Sequence, residues 1–140
     1  MDHLERARAI VENKMLKNDP FSQWLGIQIV SLEEEACVVS LTVREEMCNG
    51  FGLAHGGISF SLADSALAFA SNADGVKSMS IETSINHIES VRIGDRLIAR
   101  AELAQKSNKL GHYIVEVHNQ NHELVALFKG MVYRSSKRWS

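Results

Sequence analysis

The sequence predicts an α+β domain in which an antiparallel sheet wraps around one long central helix. Three observations lead to this fold class: an apolar helical segment lies between two regions of strand pattern, short polar turns join the later strands, and 140 residues suit a single core. Short turns are typical of antiparallel neighbours, and a sheet that curls around the helix buries it. One domain is therefore expected over 1–140.

The first segment, 1–26, is predicted to be helical. Its opening residues place apolar side chains at helical spacing and charged side chains elsewhere. A second, short helix is expected to follow, because Asp19 can cap it, Pro20 suits its first position and Gly26 can end it.

The strand pattern begins with 27–43, where the turn SLEEE separates two short strands. Four segments after the central helix also have strand character: 79–88, 96–104, 112–119 and 124–134. The last residues, 135–140, are expected to form a flexible tail.

The central helix is predicted over 57–72, where most side chains are apolar. Small and polar residues recur along one narrow stripe of it: Gly57, Ser61, Asp64, Ser65, Ala68 and Asn72. A helix wrapped by its own sheet leaves only this stripe to face something else, which indicates a dimer interface with a ligand slot. The alternative is that Asp64 is a core carboxylate satisfied by hydrogen bonds.

The composition argues against several classes of function. The net charge is −2 and Lys and Arg are dispersed, so we expect no nucleic-acid binding. The charged amino terminus does not resemble a signal peptide, and no apolar run is long enough to cross a membrane. Cys37 and Cys48 lack CxxC spacing and the histidines form no metal motif, so we expect a cytoplasmic protein without metal or cofactor.

A functional site is expected at the start of the central helix, where Asn-Gly and His-Gly-Gly precede it. Glycines at a helix start let backbone N–H groups approach a ligand closely, and Asp64 follows two turns later. Gly57 and Asp64 lie on one helix face but about 10 Å apart along its axis. One carbonyl group cannot contact both, so if both act on it, two subunits of a homodimer must share each active site.

The stretch NGFGLAHGGISFSLAD resembles the signature of hotdog-fold acyl-CoA thioesterases of the phenylacetic-acid-degradation (PaaI-type) branch. The similarity extends through VRIGDRLIARAEL and HNQNHELVALFKGMVYR, and so covers nearly the whole chain. The resemblance implies a hotdog fold, homodimers that pair into tetramers, and hydrolysis of small aryl or acyl thioesters of coenzyme A without a metal.

The resemblance also implies roles for the residues of the signature. Asp64 would be the catalytic carboxylate, the Gly57 N–H would polarise the thioester carbonyl, and Asn49 and His55 would support the reacting centre. Asp64 would act as general base on water or attack the carbonyl itself, and the sequence leaves both routes open. For His55, helix capping is the alternative role.

Six further residues are candidates for substrate binding: Gly56, Ser65, Phe51, Asn86, His87 and Lys109. Phe51 is expected to bound the acyl pocket, and Lys109 is expected to bind the phosphates of coenzyme A. Plainer alternatives exist for three of them. Ser65 can be a packing residue, His87 a solvated or packed histidine, and Lys109 part of a solvated turn.

Two questions stay open at this point. The chain carries Glu89, Ser90 and Val91 in the region where the family usually has an Arg-Pro pair. The strand there would help line the cleft, so the acyl group is left open between aryl and medium-chain. A hotdog dehydratase or hydratase of acyl thioesters and a non-catalytic acyl-CoA-binding protein are the alternative functions. The presence of Asn49, Gly57 and Asp64 together favours hydrolysis.

Overall fold

The structure is a computed structural model and describes residues 2–140. Helices α1, α2 and α3 span His3–Arg8, Pro20–Leu25 and Gly56–Asn72. Strands β1 to β6 span Gln28–Leu32, Ala36–Thr42, Val76–His87, Arg96–Lys106, Leu110–His118 and Leu124–Arg138. Between α1 and α2 the chain continues as a π-helical segment, Ala9–Met15, and a tight turn, Leu16–Asn18.

The six strands form one antiparallel sheet in the order β1-β2-β4-β5-β6-β3, and α3 packs against strands along this sheet. The predicted α+β class, with a sheet around a central helix, is therefore confirmed. β3 lies at the sheet edge beside β6, and its side chains Met79 and Ile81 are 67% and 56% exposed. Within residues 2–140, no helix is both long and apolar enough to cross a membrane.

Helix α2 begins and ends at the capping residues that the sequence predicts. The Asp19 carboxylate accepts a hydrogen bond from the Ser22 N–H at 3.0 Å, Pro20 occupies the first turn of α2, and Gly26 ends the helix with φ +75°. That left-handed conformation suits glycine because it has no Cβ. All three predictions for this helix are confirmed.

The core is formed where α3 meets the inner face of the sheet. Phe60 packs edge-on against Phe128, with ring centroids 5.3 Å apart. At Gly130 the approach is closer still, because a Cβ there would lie 2.5 Å from the Leu67 Cδ2 atom. Glycine at this position of β6 therefore lets α3 sit directly on the strand.

The last residues are held against α3, so the predicted flexible tail at 135–140 is wrong. β6 pairs with β3 as far as the Val76–Arg138 pair, and the Trp139 N–H donates to the Gly75 carbonyl at 2.9 Å. The Trp139 Nε1–H also donates to Asn72 Oδ1 at 3.0 Å. The polar sequence SSKRWS has no strand alternation, and the contacts that hold it are distant in sequence.

A buried ion pair fixes the turn that follows α3. The Asp74 carboxylate accepts a hydrogen bond from Arg134 Nη1 at 2.7 Å, and the two side chains are only 8% and 13% exposed. Lys106 Nζ lies 3.6 Å from the same carboxylate and also pairs with Glu35. Removal of one member would leave the other buried without its partner. These contacts tie the end of α3 to β4 and β6.

The Gly130→Ala substitution should destabilise the fold, because the added methyl group overlaps Leu67 and overpacking of this kind costs about 1–3 kcal/mol. Chemical denaturation should show the loss in the free energy of unfolding. Gly50→Ala is the matched control, since nothing lies within 4 Å of a Cβ at that position. Equal stability of the two variants would contradict the close approach of α3 to β6.

Candidate active site

Asp64 lies on α3 beside a cavity of about 550 Å³ between this helix, β3 and the end of β6. The side chain is half-buried, and burial raises the pKa of its carboxyl group above the ordinary value for aspartate. Within residues 2–140, no group donates a hydrogen bond to this carboxylate and no basic side chain forms a salt bridge with it. It is therefore not the hydrogen-bonded core carboxylate of the alternative interpretation, and it is free to meet a ligand.

The amino end of α3 is open to approach. His55 occupies the N-cap position, and none of the side chains in the described part of the chain caps this helix end. The Ile58 N–H donates to the His55 carbonyl at 2.9 Å, while N–H groups of the first helical turn have no acceptor inside the helix. Nothing lies within 4 Å of a Cβ at Gly57, so a ligand has room there.

Asn49 shapes the loop that leads into α3. Its side-chain Oδ1 accepts hydrogen bonds from the Phe51 N–H at 2.9 Å and the Leu53 N–H at 3.2 Å. The Asn49 N–H donates to the Leu53 carbonyl at 2.7 Å, which closes the turn. This arrangement is an Asx-type turn, and it gives Asn49 a positioning role that the sequence did not specify.

His87 and Gly56 lie against each other at the same end of the helix. A Cβ at Gly56 would sit 3.0 Å from the His87 Nε2 atom, so the imidazole covers this glycine and leaves Gly57 uncovered. Asn49, Gly56 and His87 share a second cavity, of about 400 Å³, with Glu89 and neighbouring residues. The structure therefore brings these three predicted site residues together.

The two halves of the predicted site do not meet within one chain. Asp64 lines the first cavity, whereas Asn49, Gly56 and His87 line the second. The seven-residue separation of Gly57 and Asp64 on α3 corresponds to about 10 Å along the helix axis. A single chain therefore presents a carboxylate and a set of backbone donors on separate surfaces.

The other candidates for substrate binding lie outside both cavities. The Ser65 hydroxyl is hydrogen-bonded to Ser22 Oγ at 2.8 Å, which ties α3 to α2. Phe51 is 89% exposed at the tip of its loop, and Asn86 is exposed on β3. Lys109 is exposed in the β4–β5 turn, where its carbonyl accepts from the Arg134 N–H at 2.7 Å. In a single chain, none of these four contributes to either cavity.

Trp139 lines the first cavity but was assigned to a flexible tail by the sequence. Asn72, which the sequence placed on the stripe expected to face a ligand slot, lines the same cavity and is only 3% exposed. An isolated tryptophan in a polar terminal segment was the one available signal for Trp139. Over residues 2–140 no three His, Cys, Asp or Glu side chains are arranged to hold a metal ion, and a metal-free reaction stays a prediction.

Comparison with known proteins gives consistent matches. The family model described as "Thioesterase superfamily" matches residues 51–126. A putative esterase of Archaeoglobus fulgidus is 40% identical over 124 residues, which cover 89% of this chain and 80% of the relative. The acyl-coenzyme A thioesterase PaaI of Escherichia coli is 38% identical over 120 residues, which cover 86% of each protein.

Solved structures match over similar lengths. The E. coli PaaI protein of the phenylacetic acid degradation operon superimposes with a TM-score of 0.94 at 34% identity, covering 99% of this chain and 100% of that protein. The smu.793 protein of Streptococcus mutans, solved with bound acetyl CoA, has a TM-score of 0.78 at 27% identity, covering 81% of this chain and 91% of that protein.

The raised pKa of Asp64 predicts that its charge opposes folding. A carboxyl group whose pKa is higher in the folded state binds more protons there than in the unfolded state. Stability therefore falls as pH rises through the interval between the unfolded-state pKa and the folded-state pKa. Asp64→Asn should therefore raise the melting temperature at pH 7, and the gain should shrink as pH is lowered toward the ordinary pKa of aspartate. A lower melting temperature for the variant at pH 7 would instead reveal a stabilising partner for the carboxylate.

Proposed function

This chain belongs to the thioesterase superfamily, has the predicted hotdog fold and is a thioester hydrolase, and from that premise we propose that it acts on small acyl-CoA thioesters. The products are the free acid and coenzyme A. The acyl group is aryl, such as phenylacetyl or hydroxyphenylacetyl, or medium-chain. The observation that carries the proposal is an unpaired carboxylate, Asp64, beside an apolar cavity of about 550 Å³.

The carbonyl oxygen of the thioester is bound by the open amino end of α3. When water or a carboxylate attacks the carbonyl carbon, negative charge develops on that oxygen. The Gly57 N–H donates to it, and the positive end of the helix macrodipole adds to the stabilisation. Loss of one such donor typically lowers the rate about a hundredfold to a thousandfold. Asn49 and His55 support this donor by shaping the loop that precedes it.

Asp64 supplies the base or the nucleophile. As a base, it takes a proton from water while the water oxygen bonds to the carbonyl carbon; the carbon–sulfur bond then breaks, and the proton passes from Asp64 to the leaving sulfur of coenzyme A. As a nucleophile, its oxygen bonds to the carbonyl carbon and the carbon–sulfur bond breaks, which releases coenzyme A as the thiolate and leaves a mixed anhydride. Water hydrolyses this anhydride in a second step to the free acid and the Asp64 carboxylate, and the proton released goes to the thiolate. In both routes the ionised carboxylate is the active form. The rate should therefore fall as the pH is lowered and Asp64 becomes protonated.

Each active site is shared by the two subunits of a homodimer. The donors at Gly57 and the carboxylate at Asp64 are too far apart in one chain to reach the same carbonyl. Asp64 lines the first cavity, whereas Gly56, the residue before Gly57, lines the second. Exposed apolar side chains at the edge of the sheet, Met79 and Ile81, support burial of this edge by a second copy. Pairing of dimers into a tetramer and a cytoplasmic location belong to the same proposal.

Replacing the carboxylate tests the chemistry. Asp64→Asn should lower kcat for a panel of acyl-CoA thioesters by about 100 to 10,000-fold, because the amide can neither accept the proton nor attack. Release of free thiol measures the reaction. Glu116→Gln, an exposed acid on β5, is the matched control and should keep the parent rate. Parent-level turnover in the Asp64 variant would remove Asp64 from the mechanism.

Mixing two inactive variants tests the shared site. Asp64→Asn and Gly57→Leu should each be inactive, but a dimer with one copy of each retains one intact pair of Gly57 and Asp64. Random exchange of subunits should therefore restore about a quarter of the parent activity. If Gly57 and Asp64 of the same chain acted together, every mixed dimer would remain inactive and no activity would return.

A further inference from the structure

The first cavity extends along one face of α3, away from the catalytic carboxylate. Asp64, Ala68 and Asn72 all line it, and they follow one another at intervals of four residues. Eight residues of helix correspond to about 12 Å, so the cavity reaches about that far from Asp64. The side chains of Leu67, Met79 and Val132 give it apolar walls.

Trp139 lies at the end of this cavity that is distant from Asp64. Its Nε1–H donates to Asn72 Oδ1 at 3.0 Å, and its backbone N–H donates to the Gly75 carbonyl at 2.9 Å. The Lys77 ammonium group lies 4.9 Å from the centre of the indole ring, within the range of a cation–π contact. Three contacts, two of them through the indole, therefore hold Trp139 at the end of the cavity that is distant from Asp64.

Asn72 in turn is fixed by the fold. Its Oδ1 accepts a hydrogen bond from the Ser78 N–H at 2.9 Å, and its Nδ2 donates to the carbonyls of Ala68 at 2.8 Å and Ser78 at 3.1 Å. The side chain is buried, so these bonds are protected from water. The indole is thus attached to a rigid group at the junction of α3 and β3.

We propose that Trp139 sets the maximum length of the acyl group that the enzyme accepts. This inference rests on the proposed function, in which the thioester carbonyl lies at Asp64. From that point the acyl group extends along the apolar walls beside Ala68, and the indole closes the space near Asn72. An acyl group that is longer than this space would collide with the indole before its carbonyl reached Asp64.

The test is a chain-length series for the parent and for Trp139→Ala. We measure kcat/KM by thiol release for straight-chain acyl-CoA substrates from two to sixteen carbons. Truncation of the indole should leave short substrates unchanged and move the upper limit to longer chains. Each methylene that enters the vacated space should raise kcat/KM about fourfold. An unchanged upper limit, or an equal loss at every length, would overturn the proposal.

Two control variants separate the indole's volume from its effect on the carboxyl-terminal segment. Trp139→Phe keeps a ring but loses the hydrogen bond to Asn72, and it should keep an upper limit close to that of the parent. Trp24→Ala removes the chain's other tryptophan, which stacks on Phe21 away from the cavity, and should leave the whole profile unchanged. A shift in either control as large as in Trp139→Ala would also overturn the proposal.

A binding measurement makes failure of this inference distinguishable from failure of the proposed function. In a Trp24→Phe background, Trp139 is the single tryptophan. A medium-chain carboxylic acid brominated at its terminal carbon should quench its fluorescence, whereas bromoacetate should not. Quenching without any thioester turnover would reject the proposed function and keep the assignment of the cavity. Turnover without quenching by the medium-chain acid would reject the role of Trp139.

Discussion

The contact between Leu67 of α3 and Gly130 of β6 leaves no room even for a methyl group, and this close approach decides how the rest of the chain is arranged. Because the sheet covers most of the helix so tightly, only its amino end and one narrow face remain available for chemistry. The polar groups of the candidate site therefore lie on α3, the same helix around which the core is packed. The same rigid packing that stabilises the domain also fixes the direction of Asp64.

The placement of the two halves of the site on a single helix has a mechanistic meaning. A helix is stiff, so the distance between the donors at Gly57 and the carboxylate at Asp64 cannot change within one chain. A second copy can supply the missing half without any deformation of either chain. The two glycines also differ: His87 covers Gly56, whereas Gly57 stays open. Gly56 allows the His87 ring to pack against the helix, and Gly57 leaves open space at the same helix end.

Local features were predicted well from the sequence, and features that depend on distant contacts were not. Asp19 and Gly26 were assigned correctly because capping involves residues only a few positions away. The ordered carboxyl terminus was missed because Trp139 is held by Asn72 and Gly75, more than sixty residues earlier in the chain. For Ser65 the sequence left substrate contact and packing open, because its hydrogen-bond partner Ser22 lies on another helix. No local pattern encodes such partners.

The exposed edge at β3 has a consequence for how an isolated chain behaves. β3 is twelve residues long, contains no proline and presents methionine and isoleucine side chains to solvent. Such an edge is a template for non-native strand addition and hence for aggregation. If the proposed homodimer buries this edge, an isolated chain can pair it either with a second copy in the correct register or with other exposed strands in a non-native one. A higher protein concentration speeds both processes, so the same exposed side chains that favour assembly also set an upper limit on the concentration at which the chain refolds cleanly.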